Sequence, residues 1–241
     1  MIKLRNLLIT AMTIVAFSSN VFAGTVSVGI TASLLDVEAS GTETDKLTAT
    51  GANVTDTSVR NKSVSADTVT GSLFAEFTSD TSWPMTFGFE YTPGTADISG
   101  SLSRTDTELS NTASKATLAN SVIRTASADA NNFSTVYFEA PMYGALYVRA
   151  GFSSMDIDVV TTSDGDASSS YTDNLSLNGT NLGIGFKGNT AAGTLWKIAY
   201  EQTSYDSFSI QSVGNSVNAN SSTITGDADT KGVRLSLAKS F

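Results

Sequence analysis

The amino-acid sequence predicts an all-β fold, an eight-stranded antiparallel up-and-down transmembrane β-barrel with short periplasmic turns and long extracellular loops. Three observations predict it. Apolar and polar residues alternate in eight runs, which is typical of strands whose two faces meet different surroundings. The connections between the runs alternate between long and short, and charged residues within the runs avoid the apolar positions.

The composition argues against several kinds of chemistry. The chain has 241 residues with no Cys and no His, which removes disulfides, thiolate ligands and imidazole bases. A net charge of −9 with scattered positive residues disfavours nucleic-acid binding. A Ser-Lys or paired-carboxylate mechanism stays open in principle, but only the abundance of serine favours it. We therefore expect no enzymatic activity, no catalytic residue, no cofactor and no nucleic-acid partner.

The first 23 residues are typical of a cleaved secretory signal peptide. Lys3 and Arg5 precede an apolar stretch from Leu7 to Phe17, and the segment closes with Ser-Asn-Val-Phe-Ala before Gly24. That stretch is too short for a spanning helix, which needs about 20 apolar residues. We expect residues 1–23 to direct export and residues 24–241 to form the transmembrane barrel.

Eight strands are expected along the rest of the chain, because each run keeps its apolar residues on one parity. These apolar positions run from Val26 to Leu34, Val69 to Phe77, Trp83 to Tyr91, Val136 to Ala140, Leu146 to Phe152, Leu182 to Phe186, Trp196 to Tyr200, and Val233 to Leu237 with Phe241.

The connections sort by length into two classes. The expected long ones are Ser40–Ala66, Ser101–Asn132, Thr161–Thr172 and Asp206–Asp229. The expected short ones are Thr78–Ser82, Pro141–Gly144 and Gly188–Gly193. Outer-membrane barrels have short periplasmic turns and longer external loops, so the long connections are expected outside the cell.

The parity of the charges predicts which face is inside. Lys239 is the only charged residue on the apolar parity of these runs, and the opposite parity holds four acidic and four basic residues. These eight are Glu76, Glu90, Glu139, Arg149, Lys187, Lys197, Glu201 and Arg234. We expect them to form an ion-pair network that closes the lumen, with Glu201 and Arg234 paired at one depth. Lys197 and Glu90 are alternative partners of Glu201, and a hydrated lumen is the alternative to a network.

The terminal strand Gly-Val-Arg-Leu-Ser-Leu-Ala-Lys-Ser-Phe carries a family resemblance. The chain resembles the small outer-membrane β-barrels of Gram-negative bacteria, which include the outer membrane protein A transmembrane domain, outer membrane protein W and the opacity-type proteins. The resemblance implies an outer-membrane location among lipid and lipopolysaccharide. It also implies that Val233, Leu235, Leu237 and Phe241 form the signal read by the barrel-assembly machinery. Lys239 departs from the family pattern, which usually has an apolar residue there.

Eight aspartates lie in or beside the later long connections: Asp156, Asp158, Asp164, Asp166, Asp173, Asp206, Asp227 and Asp229. Such oxygen ligands suit Ca²⁺ or Mg²⁺, but no calcium-loop spacing is present, so solvated carboxylates are the favoured interpretation and no metal site is expected.

The sequence is compatible with two functions. The first is a structural or surface-interaction barrel with a side-chain-filled lumen, whose exposed polar loops meet an unidentified extracellular partner. The second is a small porin-like channel or a transporter of small molecules, including hydrophobic ones. Eight strands favour the first function, because they enclose just enough space for side chains to fill.

Overall fold

The computed structural model describes residues 23–49, 54–97, 102–112, 115–163, 169–171, 175–214 and 221–241. The predicted signal peptide therefore lies almost wholly outside the described residues. Eleven strands and no helices are found in the described parts of the chain. They are β1 (Gly24–Ala49), β2 (Val54–Ser79), β3 (Thr86–Asp97), β4 (Leu102–Thr112), β5 (Lys115–Pro141), β6 (Leu146–Ser163), β7 (Ser169–Tyr171), β8 (Leu175–Asn189), β9 (Thr194–Tyr205), β10 (Phe208–Gly214) and β11 (Ser221–Ser240).

Eight of these strands close into a ring, which confirms the predicted barrel. The order around the ring is β1-β2-β3-β5-β6-β8-β9-β11, and β11 returns to pair with β1. Every neighbouring pair is antiparallel. The three remaining strands lie beside this path, with β4 on β5, β10 on β11 and β7 on β10.

The long connections differ from the prediction, because much of their described length is strand. The ladder between β1 and β2 continues from Gly24–Ser79 up to Ala49–Val54, through most of the segment expected as the loop Ser40–Ala66. Likewise β4 and the start of β5 occupy the expected loop Ser101–Asn132. Alternation of apolar and polar residues reports a strand only where its faces meet different surroundings, so a strand rich in Ser and Thr gives no such signal.

The short connections are tight, as predicted, although the first is displaced. The Ser79 amide donates to the carbonyl of Met85 at 2.9 Å, so Trp83 and Met85 lie in the turn before β3 instead of in the strand. Pro84 separates them and has no N–H to donate to a ladder. The other two turns place Gly144 and Gly193 at φ of 59° and 72°, which glycine adopts without strain.

The outer face carries the predicted apolar parity. Leu34 is 59% exposed, Val69 76% and Phe152 76%, and each points away from the ring axis. No helix in the described residues is long and apolar enough to cross a membrane. The barrel therefore exposes a belt of large apolar side chains and buries charged ones, the reverse of a water-soluble barrel.

Candidate functional site

The lower part of the barrel interior contains a charged layer made by β2, β5, β8 and β9. Lys197 Nζ lies 2.8 Å from Glu139 Oε1 and 2.5 Å from Glu76 Oε2, and Lys187 Nζ lies 2.9 Å from Glu139 Oε2. Lys187 also donates to the hydroxyl of Thr86 at 3.0 Å. Two carboxylates face two ammonium groups, so this lower layer is formally neutral.

An upper charged layer lies above it and joins β3, β6, β9 and β11. Arg149 contacts Glu90 at 3.0 Å and Glu201 at 3.1 Å. Arg234 contacts Glu201 at 2.6 Å and also pairs with Glu90. The pair expected between Glu201 and Arg234 is therefore present, and Glu90, one of the two alternative partners, shares the same arginines.

The register explains how Glu201 and Arg234 meet across two strands. Glu201 lies opposite Gly232 on β11, while Arg234 lies opposite Ala199. Gly232 and Arg234 are successive inward positions of β11, so the Arg234 guanidinium reaches Glu201 diagonally across the ladder between β9 and β11. The structure thus brings all eight predicted charges into two layers of two acids and two bases each.

Two tyrosines belong to this site and were missed in the sequence. The Tyr137 hydroxyl donates to Glu76 at 2.8 Å, and the Arg149 guanidinium lies 3.6 Å from the centre of the Tyr137 ring. Tyr147 is almost fully buried, with Lys187 5.1 Å from its ring centre. Both lie on the inward parity of their strands, and this position is the sequence signal that places them in the site.

A small polar chamber lies directly above the upper layer. Asn181 donates from Nδ2 to Glu201 at 3.3 Å and to Thr203 at 3.0 Å, yet its buried Oδ1 has no hydrogen-bond partner among the described residues. The chamber measures about 50 Å³, and its floor includes Glu90 and Arg234. A space of this size has room for a few water molecules.

An apolar cluster closes the interior above this chamber. Its buried members, which we call the upper cluster, are Val37, Ala130, Met155, Ile157, Leu177, Tyr205 and Ala228. Phe133, Leu175 and Phe208 pack against it. The pattern of charged residues in the sequence does not predict this upper cluster. The upper cluster fills the barrel at the height where the strands continue beyond the apolar belt.

The polarity of the strand faces inverts at this height. On β6 the apolar residues Val148 and Phe152 face outward, but further along the same strand Met155 and Ile157 face inward and Asp156 is outside. A switch of apolar parity within one strand marks the passage from an apolar exterior to a polar one. The inverted part has the polarity of a soluble protein, with its apolar side chains inside.

Two of the predicted aspartates on the outside of β6, Asp156 and Asp158, accept hydrogen bonds from neighbouring side chains. Asp156 accepts hydrogen bonds from Asn132 and Ser176 at 3.0 and 2.6 Å, and Asp158 accepts one from Asn131 at 2.6 Å. Within the described parts of the chain no group of three or more acidic, His or Cys side chains is placed to hold a metal. Asp164, Asp166 and Asp173 lie outside the described residues.

The C-terminal strand presents the residues of the expected assembly signal on the outer face. Val233, Leu235 and Leu237 are each about half exposed, and Phe241 is more so. The Phe241 amide donates to the carbonyl of Val26 at 2.9 Å, which ties the end of the chain to β1. Lys239 reaches the carbonyl of Ala192 at 2.9 Å, so its charge lies at the rim instead of within the apolar belt.

Comparison with known proteins finds resemblance only among solved structures. No protein-family model and no curated protein matches the chain. The outer membrane protein OprG of Pseudomonas aeruginosa is 13% identical over 89% of this chain and 96% of its own, with a TM-score of 0.40. The outer membrane protease OmpT of Escherichia coli is 7% identical over 92% and 100%, with a TM-score of 0.41. Ail, the attachment invasion locus protein of Yersinia pestis, is 11% identical over 88% and 99%, with a TM-score of 0.31.

Proposed function

We propose that the chain is a β-barrel of the bacterial outer membrane that serves as a structural or surface-interaction barrel and has a closed interior. The observation that carries the proposal is the filling of the interior by two neutral charged layers beneath the upper cluster. Strands that continue above the apolar belt would present the exposed polar surface to the cell exterior.

The membrane location is supported by the distribution of polarity over the two faces. The outward positions of β1 from Val26 to Leu34 are all apolar. This part of the strand spans a height of roughly 20 Å along the barrel axis at a usual strand rise and barrel tilt. A soluble protein does not expose so wide a band of large apolar side chains while burying eight charges. In lipid both features are favourable, and a closed ring satisfies the backbone hydrogen bonds that hydrocarbon leaves unmet.

Closure of the interior is supported by the strands that each layer connects. Lys197 on β9 reaches Glu76 on β2, and Arg234 on β11 and Arg149 on β6 both reach Glu90 on β3. These contacts cross the lumen between strands that are not neighbours in the ring. An ion-selective pore is usually lined by an excess of one sign of charge, whereas each layer here is balanced.

The proposed role is not enzymatic. The buried carboxylates accept hydrogen bonds from buried lysines and arginines, and Glu139 is fully buried. Groups engaged in this way beneath an apolar cluster hold the barrel together without meeting a substrate.

Conductance of the purified protein in planar lipid bilayers tests this function. Folding into lipid is verified first by the heat-dependent shift in electrophoretic mobility that intact barrels show. Wild-type protein is then expected to give no steady unitary conductance, while a known porin in the same bilayer serves as the positive control. Sustained single-channel steps from folded wild-type protein would contradict the closed barrel and favour the channel.

A further inference from the structure

The outer flank of β11, β1 and β2 holds a polar groove of about 570 Å³ above the apolar belt. The side chains that face outward along it are Ser40, Thr42, Asn61, Ser63, Thr225 and Asp227. Hydroxyl and amide groups dominate the lining, Asp227 is the one acidic and Lys62 the one basic residue among those that line the groove, and none of the lining side chains is large and apolar. Such a lining disfavours an apolar ligand.

The strand register arranges these side chains in two rows on one face. Ser40 lies opposite Ser63 and Asp227, while Thr42 lies opposite Asn61 and Thr225. Because side chains on one face recur every second residue, these positions of β1 share the face of Leu34, which belongs to the apolar belt. The groove therefore opens sideways, toward whatever surrounds the barrel, instead of upward toward the medium.

Existing hydrogen bonds orient the polar groups of the groove. Thr42 donates to Asn61 Oδ1 at 2.8 Å, and Ser207 donates to Asp227 Oδ1 at 2.5 Å. The Asn61 amide nitrogen and the second oxygen of Asp227 have no partner among the described residues. An amide donor, a carboxylate acceptor and several hydroxyls on one surface match the vicinal hydroxyls of a saccharide, each of which both donates and accepts.

The height of the groove identifies the source of that saccharide. Ser40 and Thr42 lie six and eight residues beyond Leu34, or roughly 15 to 20 Å above the apolar belt at usual strand rise and tilt. The polar headgroup zone of a phospholipid bilayer extends only about 5 to 8 Å beyond the hydrocarbon. An ordinary phospholipid headgroup is therefore too short to reach the groove, whereas a lipid with an extended sugar chain is long enough.

We infer that this groove binds the saccharide part of lipopolysaccharide molecules that surround the barrel in the outer leaflet. The inference rests on the proposed outer-membrane location. Lys231 lies between the groove and the apolar belt and pairs with Asp36 at 3.4 Å and Glu38 at 2.6 Å. This charged row occupies the interfacial level, so the saccharide extends past it before it meets the hydroxyl rows.

Binding of defined lipopolysaccharides to the folded barrel in phospholipid nanodiscs tests the inference. The wild-type protein is titrated with lipopolysaccharide carrying a complete core saccharide and with a deep-rough form that lacks the outer sugars. The double variant Asn61→Ala/Asp227→Ala removes one amide and one carboxylate from the groove. Asn178→Ala, which truncates an exposed outward amide on β8, is the matched control.

The complete-core form is expected to bind wild-type and Asn178→Ala protein equally, and the double variant about tenfold more weakly, as the loss of two hydrogen bonds implies. The deep-rough form is expected to bind all three proteins alike and weakly. Equal binding of the complete core to all three proteins would overturn the inference. Binding of the free core oligosaccharide as tightly as the complete-core lipopolysaccharide would also overturn it, because the membrane anchor would then contribute nothing and the ligand would come from the medium.

Heat-dependent electrophoretic mobility of the nanodisc samples separates this inference from the function on which it rests. A protein that never becomes a compact, lipid-inserted barrel contradicts the proposed function itself. A barrel that inserts normally but does not distinguish the two lipopolysaccharides contradicts only the groove.

Discussion

Glu201 shows what a buried charge requires at the scale of one residue. Its carboxylate is 5% exposed and lies 3.1 Å from Arg149 and 2.6 Å from Arg234. A buried pair contributes little net stability relative to an apolar replacement, but the loss of one partner leaves the other charge desolvated and uncompensated. The two arginines of the upper layer would then share only Glu90.

The substitution Glu201→Gln is therefore expected to lower the free energy of unfolding by about 3 to 5 kcal/mol. Urea unfolding of the reconstituted barrel, followed by tryptophan fluorescence, measures the change. Glu38→Gln is the matched control, because Glu38 pairs with Lys231 on the exposed outer surface, and no measurable change is expected there. A loss below 1 kcal/mol in Glu201→Gln would indicate a hydrated lumen.

Gly88 makes room for Tyr137 inside the barrel. The two residues lie opposite each other on β3 and β5, and a Cβ atom at Gly88 would overlap the tyrosine ring. The Tyr137 ring is buried, its hydroxyl donates a hydrogen bond to Glu76, and the Arg149 guanidinium stacks on its face, so the ring has little freedom to move. The glycine is needed for this close approach.

Gly88→Ala is expected to cost about 1 to 3 kcal/mol, the usual range for overpacking a filled core. Gly71 is the matched control on the outer face of β2, where an added Cβ meets nothing within 4 Å. The substitution Gly71→Ala is expected to leave the urea midpoint unchanged or raise it slightly. Equal effects of the two substitutions would show that Tyr137 is not held in place.

For single residues, the sequence predicts which charged side chains form the site, but it does not predict all of the uncharged side chains that belong to it. A charge on the inward parity of a strand has a single physical reading, because a lipid-facing charge is costly. Tyr137 is ambiguous, since a tyrosine is favourable at a membrane interface, in a core or in a polar network. Which inward residues contact one another depends on strand stagger, and a sequence constrains stagger only to within a residue or two.

At the scale of elements, the strands were predictable within the apolar belt and hard to delimit above it. Residues such as Leu34 and Val69 alternate with polar neighbours because one face meets lipid and the other the lumen. Above the belt, the outward positions of β1 and β2 become Ser, Thr and charged residues, and the contrast fades. A reversal of apolar parity, visible at Met155-Asp156-Ile157, is the sequence signal for this second region.

Phe241, the C-terminal residue, directly follows β11, the strand that closes the ring by pairing with β1. Deletion of Phe241 removes an amide that bonds to Val26 and an exposed aromatic ring at the seam of β11 and β1. Since β11 must find β1 before the barrel closes, we expect slower and incomplete assembly in cells while export continues. The heat-modifiable fraction in isolated membranes measures assembly.

Phe152→Ala provides the control for that deletion, because Phe152 is an exposed aromatic residue on β6, away from the seam. Its assembly is expected to match wild type. An undiminished heat-modifiable fraction after deletion of Phe241 would contradict the assigned role of the terminal residue.

At the scale of the whole molecule, two polarity arrangements share one set of strands. Inside the apolar belt the interior is charged, and above it the interior is the apolar upper cluster. The upper cluster is stabilised by water outside the strands, whereas the charged layers gain strength from the low dielectric around them. In the proposed outer-membrane location, the height at which the arrangement inverts sets how deep the barrel lies in the membrane, and the end with the long strand extensions faces the cell exterior.

That orientation predicts which positions are reachable from outside an intact cell. The chain contains no cysteine, so a single introduced cysteine reports its own location without background. Val59 on the extension of β2 and Ser209 on β10 are exposed above the belt, while Thr81 and Ala191 are exposed in the short turns at the opposite end. A membrane-impermeant maleimide is expected to label Val59→Cys and Ser209→Cys on intact cells, and to label Thr81→Cys and Ala191→Cys only after lysis. Because each cysteine replaces an exposed side chain, folding should be unaffected, which heat-dependent mobility checks in every variant. The reverse labelling pattern, with Thr81→Cys and Ala191→Cys reactive on intact cells, would invert the barrel and remove the groove on β11, β1 and β2 from the outer leaflet.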